Sequence, residues 1–182
     1  LFLGRMFAEG KGFSVEIRNA IYRVSRAANN GSEKAKKELK LLKEIDEIKK
    51  IRKSAQLVSK TLGIMAKEIK PGITSLYLDK IAEEFILDNN AIPGFKGYNN
   101  FPNTLCISVN NQVVHGIPCD KPLNEGDIIS IDCGVINDGY FGDHAYTFKV
   151  GEVTKEINKL LDVTKNSLYE GIDAMIENNR IG

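Results

Sequence analysis

The sequence contains no apolar run near the roughly 18 residues that a membrane-spanning helix needs, and it opens on no recognisable secretory signal. It is poor in cysteine. Cys106, Cys119 and Cys133 are an odd number with no Cys-x-x-Cys spacing, which argues against a disulfide framework and for free thiols in a reducing, cytoplasmic setting. It has no tryptophan, and its only histidines are His115 and His144. It also lacks a strong overall charge, at +1. The first residue is Leu1 rather than Met, so a true N-terminus is expected upstream.

What is present supports a real core: 42% of the 182 residues are hydrophobic, enough for one ordinary domain or one plus an appendage. The near-neutral sum hides an asymmetry. Residues 1–53 hold 14 Lys/Arg against 7 Asp/Glu, or +7, and residues 54–182 hold 11 against 17, or −6. Two modules are expected, the first facing an acidic surface such as the ribosome; a solvated basic helix face is the alternative. Nothing points to specific DNA binding or to a membrane.

Along the chain, "LGRMFAEGKG" reads as a short helix stopped by Gly10 and Gly12, and residues 15–31 as a second helix ended by Asn30-Gly31. Residues 32–69 are helical and charged, with an apolar stripe of Ile45, Ile48, Ile51, Ala55, Leu57, Val58, Leu62, Met65 and Ala66. The composition changes near Leu41 to Lys43, which sets the expected boundary between residues 1–40 and 41–182. Lys70-Pro71-Gly72 stops this helix, and Thr74 or Ser75 caps the next, which ends at Asn89-Asn90. Residues 91–104 read as loop, "LCISVNNQVVHGIP" and 126–148 as strands, and the chain returns to helix from Lys155. The order predicts an α+β fold.

The stretch "GDIISIDCGVINDGYFGDHAYTF" sets an aspartate inside each of two apolar strands, Asp132 and Asp143. A buried carboxylate is costly unless something pairs with it. Alternation puts Ile129, Ile131, Cys133 and Val135 on a core face and Asp132 on the other, with Ser130 and Gly134. If Asn137-Asp138-Gly139 forms a three-residue loop, Asp132 lies opposite His144, Asp143 points to the opposite face, and a bulge at Gly142 is needed to bring the two acids together. Two adjacent carboxylates would repel unless a divalent cation sat between them. An aspartate at a hairpin end or a surface edge is the alternative. His115, presented at a strand end before Gly116 and Pro118, is a third candidate; His144, on alternation, points away from Asp143's face.

Two resemblances follow. Leu3-Gly4, Phe7, Gly10-Lys11-Gly12, Ala20, Ala27-Ala28, Gly31 and Ala35 resemble one Sel-one-like helical repeat, departing at Arg23-Val24, where that family places a Trp-Tyr pair. "VVHGIP", "GDIISIDCG" and "DGYFGDHAYTF", with "KPG" at Lys70, "GFKGYNNFPNTLCISVN" from Gly94 and "FKVGEV" from Phe148, resemble the type I methionine aminopeptidases from about Leu41 to Gly182. That resemblance implies the first half of a pita-bread fold and removal of initiator methionine from the methionyl N-termini of nascent chains. It implies two divalent cations (cobalt, manganese, iron or zinc) with a bridging hydroxide. Asp132 and Asp143 take the metal positions, and His115 the catalytic, substrate-contacting one. Tyr98, Phe101 and Cys106 fall on positions that line the methionine pocket. The family's third ligand, a histidine, and two glutamates have no counterpart before Gly182, so the expectation is a fragment cut at both ends and inactive alone. A proline-directed peptidase of the same fold and a degenerate binding module are the competing expectations.

Overall fold

The computed structural model describes residues 17–180, with side chains from residue 20 onward. Helix α1 (Ile17–Asn29) turns through Asn30-Gly31 into α2 (Glu33–Glu68). Gly31 sits at φ +88°, the left-handed stop that glycine adopts without a Cβ penalty. Ser32 caps α2, its Oγ accepting from Ala35 N at 3.3 Å. Next come α3 (Ser75–Asp88), β1 (Ile92–Pro93), a 3-10 turn (Tyr98–Asn100), β2 (Leu105–Val109), β3 (Ile128–Asn137), β4 (Tyr140–Lys149) and α4 (Lys155–Ala174). Of the two candidate caps for α3, Thr74 serves: its Oγ1 accepts from Tyr77 N at 3.1 Å. The α+β expectation holds.

Strand β3 is the hub of an antiparallel sheet. β4 pairs along its length, β2 pairs with its first half from Ile129 to Cys133, and β1 with Val135 and Ile136. The face carrying Ile129, Ile131, Cys133 and Val135 is covered by Leu57, Val58, Leu62 and Met65 of α2 and by Leu78, Ala82 and Ile86 of α3. At the crossing of α2 over β4 the backbones nearly touch: a Cβ on Gly142 would lie 2.5 Å from Ala55 N. Ser54 Oγ donates to Tyr140 O at 2.7 Å beside this crossing.

A smaller core joins Ala20, Val24 and Ala28 of α1 to Ala35 and Leu42 of α2. These alanines belong to the Sel-one-like pattern, and their small side chains let the two helices approach. The other matching residues, Leu3 to Gly12, and the short helix expected there lie outside the described residues. The boundary expected at residue 40 falls inside the unbroken α2: the composition shift marks the point where one helix exchanges one packing partner for another. The expected apolar stripe is interrupted there. Ile48 and Ile51, between the two cores, are 54% and 46% exposed and belong to neither. No residue of α4 is buried.

Candidate metal centre

The hairpin turn decides where the acids stand. The expected three-residue loop does not form; Asn137 pairs with Tyr140, leaving Asp138 and Gly139 as a two-residue turn. Their φ values, +51° and +80°, are both positive, as a type I′ turn requires. One residue fewer in the loop moves the register by one. Asp132 lies opposite Ala145, Cys133 opposite His144, and Gly134 opposite Asp143. Asp143 is therefore diagonal to Asp132 on one face, with no bulge at Gly142. His144 falls on the Cys133 face, away from Asp143 as expected, and the shifted register takes it off the expected place opposite Asp132.

Gly134 separates the two acids along that face. A Cβ there would lie 2.5 Å from the Phe95 ring, so the missing side chain leaves room for an aromatic one on the face that carries both acids. The sequence reading missed Phe95. The available signal was Gly134 itself, since a glycine inside a strand marks a close approach.

His115 does not end a strand. β2 stops at Val109, and Asn110-Asn111 turn the chain out of the sheet, with Gln112 N donating to Val109 O at 3.1 Å. His115 is exposed in irregular backbone at φ +57°, a left-handed conformation uncommon for a non-glycine residue. Gly116 ties this segment to β2: Ile107 N donates to Gly116 O at 2.8 Å and Gly116 N donates to Ser108 Oγ at 3.0 Å.

Burial and the adjacent Asp143 carboxylate push the Asp132 carboxyl above its ordinary range, while the charge of His115 pulls it back. Cys106, directly opposite Asp132, is buried; desolvation, then the Asp132, Asp143 and Asp79 carboxylates, raise its thiol to about 11. Asp132, Asp143, His115 and Cys106 thus share one neighbourhood. Phe101 is half-buried just after the 3-10 turn. Tyr98 is 72% exposed on that turn.

The acid pair suits a divalent cation in kind. It is a hard oxygen donor set with like charges side by side, and Asp132 Oδ1 is buried without a hydrogen-bond partner. In number it falls short: among the described residues no group of three or more His, Cys, Asp or Glu is placed to hold a metal.

Metallopeptidase family M24 matches residues 49–182. The chain belongs to that family. Curated relatives include a methionine aminopeptidase of Borreliella burgdorferi, 55% identical over 128 residues that cover 70% of this chain and 51% of the relative. One of Clostridium acetobutylicum is 48% identical over 131 residues, covering 71% and 52%. A solved methionine aminopeptidase of Rickettsia prowazekii superposes with a TM-score of 0.69 at 38% identity, covering 70% of this chain and 51% of that one. This M24 chain therefore spans about half the length of the curated relatives it matches, and its fold is that of a pita-bread metallopeptidase. No described helix is long and apolar enough to cross a membrane.

Proposed function

We propose that this chain carries half of a methionyl aminopeptidase site, and that Asp132 and Asp143 hold divalent cations there, two of them by analogy with the resemblance. The observation that carries the reading is the acid pair, brought to one face by the two-residue turn and left with a buried, unpartnered carboxylate oxygen. The cations, when bound, supply Lewis acidity and a lowered pKa for water. The protein's own contribution is placement. His115, held by the Gly116 anchor, is positioned to donate to a peptide carbonyl or amide. Cys106, Phe101 and Phe95 offer a thiol and aromatic rings to a thioether side chain. The relatives at 48% and 55% identity, named methionine aminopeptidases, favour methionine over proline as the residue released. The X-Pro aminopeptidase of Thermotoga maritima, at 18% identity, shares the fold alone.

Two carboxylates are too few to hold two cations and leave room for water and substrate, so the 182-residue polypeptide by itself is expected to show no turnover. Joined to the C-terminal half of the Borreliella burgdorferi relative, it should release methionine from a Met-Ala-Ser peptide with added manganese, and Asp132→Asn or Asp143→Asn should abolish release. A joined protein that folds, binds manganese and leaves the peptide intact would defeat the reading. The exposed Lys34, Lys36, Lys37, Lys40 and Lys43 of α2 support docking of the basic segment on an acidic surface such as ribosomal RNA. Steeply salt-dependent ribosome binding would be its signature.

A further inference from the structure

Helix α3 buries two polar side chains one turn apart, Ser75 at 3% and Asp79 at 4% exposure. Neither belongs to the site itself, and a helix facing a core has no need of them for packing. Each bonds chain outside the helix, Ser75 to the Cys119 backbone and Asp79 to two backbone amides and the Asn103 side chain. Asp79 Oδ1 accepts from Thr104 N at 3.0 Å and from Leu105 N at 2.8 Å, and its Oδ2 accepts from Asn103 Nδ2 at 2.8 Å. The segment so held lies between Phe101 and Cys106, and Cys106 lies directly opposite Asp132. Ser75 Oγ donates to Cys119 O at 3.1 Å and accepts from Cys119 N at 2.9 Å; Leu76 N also donates to Cys119 O, at 3.0 Å. Cys119 is four residues past His115, and the chain between them is already tied to β2 at Gly116.

The geometry points to Ser75 and Asp79 as positioning residues of the site, Asp79 setting the wall at Phe101–Cys106 and Ser75 setting the loop that carries His115. The assignment rests on the aminopeptidase reading of that site. The spacing of the two residues, i and i+4 on one helix face, fixes the wall and the loop to one rigid element. The chemistry is suited to the task. A buried carboxylate that accepts three neutral hydrogen bonds is a stronger, more directional clamp than an amide or a hydroxyl. A hydroxyl that both donates and accepts can hold the N–H and the C=O of one residue together.

The test is the labelling rate of each cysteine in the folded 182-residue chain by a methanethiosulfonate reagent, read by mass spectrometry. Cys106 reports the wall, and the fully buried Cys133, on the other face of the sheet, reports global opening. Asp79→Ala removes three acceptor contacts and should speed Cys106 labelling by about tenfold or more through local opening, with Cys133 unchanged. Asp79→Asn should restore most of the slow rate, because its Oδ1 still serves both amides and a flipped Asn103 can meet its Nδ2; the small remainder is the loss of the charge that helps raise the Cys106 thiol. Should the alanine variant fail to fold, Asn103→Ala, which removes only the Oδ2 partner, should raise the Cys106 rate severalfold. Ser75→Ala should speed hydrogen exchange at Ile107 N–H, the donor to Gly116 O, and leave Ile131 N–H unaffected. Equal acceleration at Cys106 and Cys133, or no change at Cys106 in any Asp79 or Asn103 variant, would overturn the assignment and make Asp79 a general stabiliser. None of these rates depends on turnover, so a joined protein that cleaved no methionyl peptide would refute the aminopeptidase reading and leave this test intact.

Discussion

Gly116→Ala sets two effects of opposite sign against each other. The φ of Gly116 lies outside the left-handed region, so an alanine is conformationally acceptable there. On entropy alone the substitution should stabilise by about 0.4–1 kcal/mol, by restricting the unfolded chain. The space forbids it: the new Cβ would lie 2.2 Å from Ile107 O, 2.8 Å from Ile107 C and 2.9 Å from Ser108 Cα. All three are backbone atoms of β2, which is held along its length by β3, and cannot swing aside, so the loop must lift by roughly 1 Å to reach ordinary contact. Lifting breaks the Ile107 N to Gly116 O and Gly116 N to Ser108 Oγ bonds, at about 1 kcal/mol each. The net expectation is a loss of about 1–1.5 kcal/mol, a fall of roughly 0.5 M in the urea midpoint at an m-value of about 2–3 kcal/mol/M. Hydrogen exchange at Ile107 N–H should quicken in step. In a joined, active protein the same lift should cost on the order of a hundredfold in rate through His115. An alanine variant as stable as wild type, or more so, would show that the loop is not seated on β2 and that the reasoning fails.

Three further substitutions have defined signs. Gly142→Ala drives a Cβ into the backbone of Ser54 and Ala55 and should lower the urea stability by about 1–3 kcal/mol. Gly63→Ala, exposed inside α2 with nothing within 4 Å of the new Cβ, should raise it by about 0.5–1 kcal/mol in the same assay. The folded state raises the Asp132 carboxyl above its unfolded range, so the contribution of that group to stability is full in acid and lost as pH rises through its folded pKa. Asp132→Asn should therefore raise the urea midpoint of the chelator-treated chain at neutral pH and narrow its advantage toward acid; a variant equally or less stable at pH 7 would contradict this.

The sequence made the face of Asp132 legible, because strict alternation through Ile129, Ile131, Cys133 and Val135 leaves one choice. It did not make the register legible. Asn-Asp-Gly admits a two- or a three-residue loop, and only the buried Asn137 paired with Tyr140 selects the shorter. The resemblance placed both acids in one site; the periodicity alone separated them. His115 was found by its neighbours but set on a strand, since Val113 and Val114 look β-forming and the turn at Asn110-Asn111 outweighs them locally. Phe95 was missed because Gly134, the glycine that admits it, marks a close approach without naming a partner 39 residues away in sequence. The continuity of α2 was legible, since no proline interrupts residues 32–69 before Pro71; what composition did not show is that the boundary it suggests near Leu41 to Lys43 lies inside that helix, where its packing partner changes.

The most direct measurement of the central claim is a calorimetric titration of the 182-residue chain with manganese, alongside Asp132→Asn and Asp143→Asn. The account predicts saturable but weak binding by the wild type, as two carboxylates open to water should give, and its loss in each variant. Binding of equal strength in all three proteins, or none in the wild type, would contradict the assignment of the acid pair as a metal site.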